Sequence, residues 1–356
     1  MPFDQPGGAA APSAKILSVA SAAPPHVLLQ TQVTQAARML FADRVDDFER
    51  IAQVFASTGI HKRHSVVPLD WFLGRIGWPE RTKAYLEGAD ALFIEAATAA
   101  LDRAGLSAAQ VDTVVTVSST GIATPSLEAR VADRMGFRPD AARVPVFGLG
   151  CAGGVTGLSL AAKLARPEPG SVVLMVAVEL CTLSFRLDDT SKANLVATAL
   201  FGDGAAACVL RAGEEGLAEV EATGEHRWPG TLDIMGWSVE EKGLGVIFDR
   251  SIPSFAEENL RPAMDAMLAR AGRTVADMDR FTCHPGGTKV ITALETALEL
   301  GQGALDHERA VLADFGNMSS PTALFVLERS GFAAPRQALT AMGPGFTASL
   351  AVLRAA

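Results

Sequence analysis

The chain has 356 residues, about half of them apolar and a fifth charged, and a formal net charge of −9. That length suits one large domain or two smaller ones, and the composition is ordinary for a globular enzyme. An acidic balance without a basic patch argues against a general nucleic-acid partner, and the longest apolar run, Ser171 to Leu180, has a strand's length and cannot span a bilayer.

The N-terminus, "MPFDQPGGAAAPSAK", has no basic segment leading into an apolar core, so it does not read as a signal peptide. Its Pro, Gly and Ala content suggests an extended arm over residues 1–14. The four cysteines (Cys151, Cys181, Cys208, Cys283) show no C-x-x-C pairing. They read as reduced thiols of a cytoplasmic protein, with no disulfide or zinc framework.

Further along, "LDRAGLSAAQVDTVVTVSS" (Leu101 to Ser119) gives a helix end, an Arg-Ala-Gly stop, a short turn and a strand over Val111–Val117. The stretch "VFGLGCAGGVTGLSLAAKLA" (Val146 to Ala165) holds Cys151 among small residues, then a helix over Thr156–Leu164 that is apolar on nearly every side. A helix apolar all round is buried. Ser171–Leu180 and Ala205–Leu210 are continuous apolar runs, as expected of strands covered on both faces.

The chain then repeats itself. "LARAGRTVADMDRFTCHPG" at Leu268 matches the Leu101 segment at an offset of 167 residues. "DFGNMS" at Asp314 parallels "VFGLGC" at Val146, and a buried helix over Thr322–Leu327 follows it. "MGPGFTASLAVLR" at Met342 rhymes with "FGDGAAACVLR" at Phe201. Two related α/β halves, 15–214 and 215–356, meet near Ala212–Gly216. Each buried helix must be covered by a sheet, which implies layers of helix, sheet, helix, sheet and helix.

Cys151 follows Gly150 and precedes Ala152, Gly153 and Gly154. One reading is a small buried hydrophobe. The other is a nucleophile on a tight strand-to-helix turn, where the positive end of the helix favours thiolate and backbone N–H groups can hold an oxyanion. Of the six histidines, His26, His61, His64, His226 and His307 lie in polar or irregular surroundings and read as surface or structural. His284 ends a strand and precedes a turn, the place for a catalytic side chain. Asn317 reads as a turn residue or cap, or as the third member of the site. The repeat puts it within two positions of Ser319, the counterpart of Cys151. A pseudo-twofold relation between the halves would bring Cys151, His284 and Asn317 together.

"GLGCAGG", "ALFGDGAAA", "HPGG", "FGNMSSP" and "GPGFT", in that order, resemble the type III polyketide synthases, the chalcone synthase-like group, in a bacterial pattern. The resemblance runs from about Lys15 onward and implies a duplicated thiolase fold of the α/β class in five layers, αβαβα. It implies a homodimer with neither metal nor organic cofactor, acting on malonyl-CoA and acyl-CoA. By it, Cys151 carries the acyl chain and His284 and Asn317 are its partners. Phe201 matches the family's first gatekeeping phenylalanine, and the second falls on the smaller Val246, which is either a plain strand valine or a widened passage for an aliphatic starter. Thr124 is expected to reach toward the partner subunit's site; Ser184 and Ser319 are expected to line the cavity. Arg50 fits a CoA-phosphate contact, whereas Gln53 and Ser57 stand at other expected basic positions. Lys62, Arg63 and Lys289 are candidates to compensate, with plain surface charge the alternative. Ala341–Met342 stand where a glycine and an aromatic are usual. The product expected is an alkylpyrone or alkylresorcinol from a long-chain starter. Two other readings are a ketoacyl-ACP synthase that starts fatty-acid synthesis, which usually shows His-Gln-Ala-Asn in place of His284–Gly287, and a catalytically dead partner subunit of the same fold.

Overall fold

The structure, a computed structural model, describes residues 13–46, 48–74 and 76–356; residues 1–12 of the expected arm lie outside them. The first half contains β1 (Ala14–Ala22), β2 (His26–Leu29), α1 (Gln30–Phe41), α2 (Phe48–Ser57), β3 (Lys62–Ser65), α3 (Trp78–Ala104), β4 (Thr113–Val117), α4 (Leu127–Met135), β5 (Ala142–Val146), α5 (Gly153–Ala165), β6 (Val172–Leu180), α6 (Lys192–Leu200) and β7 (Asp203–Ala212). The second contains β8 (Ala218–Arg227), β9 (Met235–Glu240), β10 (Gly243–Phe248), α7 (Ile252–Arg270), β11 (Arg280–Cys283), α8 (Thr288–Ala297), α9 (Asp306–Phe315), α10 (Thr322–Ser330), β12 (Arg336–Gly343) and β13 (Thr347–Ala355).

The repeat seen in the sequence is a repeat of local structure. α3 ends on Gly105 at φ 66, a Ser107–Gln110 capping box opens a short 3-10 turn, and β4 follows. α7 is followed by Gly272 at φ 66, a Thr274–Asp277 capping box opens the same turn, and β11 follows. Ser118 and His284 stand one residue past these two strands. Ser118 is tied up by the Tyr85 hydroxyl at 2.7 Å, so the first half keeps the position without a reactive group.

Strand β6 shows why two layers cover it. Val173, Met175 and Ala177 pack inward with Val155 and Leu158 of α5 and Leu324 of α10. Val172, Leu174, Val176 and Val178 pack outward with Leu92, Phe93 and Leu101 of α3. In the second half, α7 and α8 bury Leu260, Met264 and Ile291 against Leu350 and Val352 of β13. The order is outer helices, first-half strands, α5 with α10, second-half strands, outer helices. The strands form one nine-stranded sheet, β11-β12-β13-β8-β1-β7-β6-β4-β5. The join is narrow, only Lys15↔Glu219 and Ile16↔Ala218, made because the short turn after β7 delivers β8 beside β1.

Burial pushes up three of the buried carboxyls: Glu179 and Glu308 to about 7 and Asp203 to about 6. A raised carboxyl holds its proton more tightly in the folded chain. Its contribution is therefore fully present below pH 4, its ordinary range, and is lost as pH rises through 6–7. His284, pushed down to about 4 by burial, acts with the opposite sign below pH 6.5 but is outnumbered. The melting temperature is expected to fall between pH 5 and pH 8, and by less in Glu179→Gln; thermal melts showing a rise over that range would contradict it.

Candidate active site

Cys151 sits in a single 3-10 turn, Gly150–Ala152, that runs straight into the N-terminus of α5. The small residues around it are needed for close approach. Gly150 has φ 48, and a side chain there would meet the Pro344 ring at 2.6 Å. One at Gly154 would meet the Ser320 carbonyl at 2.1 Å, so the second half presses directly on the cysteine's helix. Ser319, the counterpart of Cys151, is itself held at φ 59, a conformation that non-glycine residues rarely adopt.

Asn317 is fixed at both ends. Its backbone N–H donates to the Leu200 carbonyl at 2.8 Å, and its own carbonyl accepts from Gly202 N–H at 3.0 Å. Its Oδ1 accepts from the Ser319 N–H at 2.8 Å, and its Nδ2 donates to the Gly286 carbonyl at 3.2 Å. The amide is thus oriented with a second Nδ2 hydrogen to give. His284 is buried, and neither ring nitrogen has a partner. An orphaned imidazole in a core is costly unless a ligand or reacting group uses it.

Cys151, His284 and Asn317 line one cavity, with Met235, Phe248 and Met342. Cys151 also lines a second chamber, with Cys181, Phe201, Trp237, Val246 and Ser319. Behind Phe201 and Cys181, which belong to both, lies a third cavity with a mostly apolar wall from α1, α6 and the 3-10 turn at Leu69–Leu73.

Comparison with known proteins decides the family. "Chalcone and stilbene synthases, N-terminal domain" matches residues 7–214, and "Chalcone and stilbene synthases, C-terminal domain" matches 219–355. This chain belongs to the chalcone and stilbene synthases, the type III polyketide synthases. It is 40% identical over 349 residues to a 1,3,6,8-tetrahydroxynaphthalene synthase of Streptomyces peucetius, covering 95% of this chain and 92% of that one. It is 34% identical to a putative chalcone synthase of Bacillus subtilis, covering 94% and 97%. The crystal structure of the 1,3,6,8-tetrahydroxynaphthalene synthase of Streptomyces coelicolor superposes with a TM-score of 0.90 at 30% identity, covering 96% and 99%. The fold is thus the thiolase type, and this polyketide synthase is an acyltransferase of the decarboxylative condensing kind.

The expected site residues of this type III synthase fall in different places. Phe201 stands between the second and third cavities. Val246 faces the second, but directly opposite it on β9 is Trp237, whose ring meets Phe201 edge-on at 6.0 Å. Ser184 lines the third cavity and not the one holding His284. Thr124 is exposed on the loop between β4 and α4, away from these cavities. Arg50 and Lys289 are exposed on α2 and α8. Arg63 corrects an expectation: it is 2% exposed, with Nη1 on the Thr198 and Phe201 carbonyls and Nη2 on Gln30 inside the fold, so it is no surface cation for a CoA phosphate. The sequence reading missed Met235, Trp237 and Phe248. The hairpin "MGWSVEEKGLGVIF" held the signal, since pairing across the Glu241–Lys242 turn sets Trp237 against Val246.

Burial pushes the Cys151 thiol up to about 11, against the pull of hydrogen bonds with Ser319 and Asn317, and Glu179 adds to the rise. Burial pushes His284 down to about 4. Burial thus opposes the charged form of each group taken alone, whereas transfer of the thiol proton to the imidazole gives each charge a partner. Cys181, Cys208 and Cys283 are free, buried and also raised, and none of them lines the cavity with His284 and Asn317. Among the described residues no three His, Cys, Asp or Glu side chains converge as metal ligands, and no helix is long and apolar enough to cross a membrane.

Proposed function

We propose that this type III polyketide synthase loads a long-chain aliphatic acyl-CoA on Cys151, extends it with malonyl-CoA and closes it to an alkylpyrone or alkylresorcinol. The cavity behind Phe201 carries this reading, because its mostly apolar lining (Leu28, Val33, Ala36, Leu40, Phe72) suits a hydrocarbon tail. The tail's place is there and not beside Val246.

In the first step Cys151 passes its proton to His284 as Sγ attacks the starter thioester, and CoA leaves with that proton. Proton transfer creates thiolate and imidazolium together, each the other's counterion, which offsets the burial that opposes either alone. Malonyl-CoA then loses carbon dioxide. The enolate oxygen accepts hydrogen bonds from His284 and from the Asn317 Nδ2. The enolate carbon attacks the acyl thioester, Cys151 leaves, and the chain is two carbons longer. Amide, not charge, suits position 317, since a cation there would perturb the thiol and imidazole. Neither metal nor organic cofactor takes part in these steps; Arg50 and Lys289 are the exposed cations offered to CoA.

A second reading is favoured by the relatives' names: a tetrahydroxynaphthalene-type product built from malonyl-CoA alone. Exposure to palmitoyl-CoA without malonyl-CoA separates the two. Stoichiometric acylation of the chain is expected; no acylation by palmitoyl-CoA, with ready labelling by malonyl-CoA, would favour the second.

The reading includes a homodimer. Thr124 is exposed beside Ile122 and Phe147, 56% and 62% exposed, next to β5, whose outer edge is the end of the sheet. An open edge and apolar side chains favour a partner. Sedimentation is expected to give a dimer, and a fully active monomer would contradict this.

A further inference from the structure

Arg63 is among the largest fully buried side chains, and among the described residues no carboxylate lies within ion-pair distance of it. Asp203, the nearest candidate, spends its oxygens on Thr182 and on the Val66 N–H. A buried charge without a counterion is expensive, and burial has pushed this guanidinium down to about 9. What it holds explains its retention. Nη1 donates to the Thr198 carbonyl at 2.6 Å and to the Phe201 carbonyl at 3.0 Å, and Nη2 donates to Gln30 Oε1. Gln30 in turn donates to the carbonyls of Phe55 and Ala199.

The Phe201 turn is bridged to Asn317. Leu200 accepts from Asn317 N–H, Gly202 donates to the Asn317 carbonyl, and the two segments run parallel there. The stem of Arg63 fills the seam. A Cβ placed on Gly202 or Gly316 would lie 3.3 or 3.4 Å from its Cβ. One buried side chain thus clamps the ring that separates two cavities and the backbone that carries the catalytic amide.

We propose that Arg63 is a positioning residue that sets the Phe201 ring and the Asn317 amide together through their shared backbone bridge. This rests on the role given above to Asn317. Arg63 lines the apolar cavity but not the space around Cys151, His284 and Asn317, so it does not touch the reacting atoms; it acts because an amide displaced by about 1 Å loses most of its effect on a developing enolate, on the order of 100-fold.

The test isolates that amide. In the Cys151→Ala background, which cannot condense, Arg63→Met and Arg63→Lys are added, and malonyl-CoA decarboxylation is measured alongside thermal melts. Methionine keeps the stem and removes all donors; lysine reaches one carbonyl but not the set. The expected result is a kcat about 10- to 100-fold lower for Met, an intermediate loss for Lys, and KM for malonyl-CoA within about twofold. With Cys151 present, the same variants are expected to acylate one cysteine per chain with acetyl-CoA, a starter with no tail to reach the cavity that Arg63 lines. An unchanged kcat in whichever variant folds would overturn the proposal. So would loss of kcat and of titratable Cys151 in equal proportion, which marks simple loss of folded protein. If Cys151→Ala alone decarboxylates nothing, the role of Asn317 falls first and the proposal with it.

Discussion

Cys151→Ala is expected to lose acyl loading and product formation by more than about a thousandfold while still releasing carbon dioxide from malonyl-CoA. The reason is the division of labour in the cavity. The covalent bond to the growing chain is made by Sγ alone, and the other three cysteines lie outside the cavity that holds His284 and Asn317. The enolate is held instead by the imidazole and by an amide whose orientation is fixed through Ser319 and Gly286, and neither depends on the thiol. His284→Ala is expected to damage both steps, since the imidazole takes the thiol proton in one and donates to the enolate in the other. Peptide mass mapping of the acylated chain and a carbon dioxide assay check the pair. Starter found on Cys181 or Cys283, or normal product from Cys151→Ala, would contradict the assignment.

Ala36→Phe is expected to lower kcat/KM for a long-chain starter about 10- to 100-fold, about 1.4–2.7 kcal/mol, and to spare acetyl-CoA. Ala36 lines the apolar cavity, while its neighbour Ala37 also packs into the first-half core, so the larger ring projects into open space more than into packed side chains. A filled core resists by straining, at about 1–3 kcal/mol; a filled ligand cavity resists by excluding the ligand. Comparing two starters on one variant removes general destabilisation, which lowers both alike. Val246→Phe is the contrasting case. That residue faces the chamber through which every chain reaches Cys151, opposite Trp237, so long and short starters are expected to suffer together. A chain-length effect at Val246 and none at Ala36 would put the tail where the sequence first suggested.

Those two positions show what the sequence carries and what it hides. The duplication was legible because α3–β4 and α7–β11 repeat the same stop, capping box and strand at a constant offset. The three residues of the site were legible because each stands at a strand end or helix start that the repeat relates. The single sheet was not, since two residue pairs between β1 and β8 leave no pattern in either strand. Arg63 was misread because "HKRHS" looks like surface charge. The alternation of β3, with Arg63 and Ser65 buried and Lys62 and His64 half-buried, was the available signal. The apolar cavity has no local signature at all. Its wall is gathered from residues between Leu28 and Phe201 that only the packing of α1 and α6 brings together.

The most direct test of the whole account is to incubate the enzyme with malonyl-CoA and acyl-CoAs of graded length and to weigh the products. The account predicts masses that rise with the starter, each an intact acyl chain plus two-carbon extensions, with long chains preferred. One product of constant mass, built from malonyl-CoA whatever starter is offered, would contradict it.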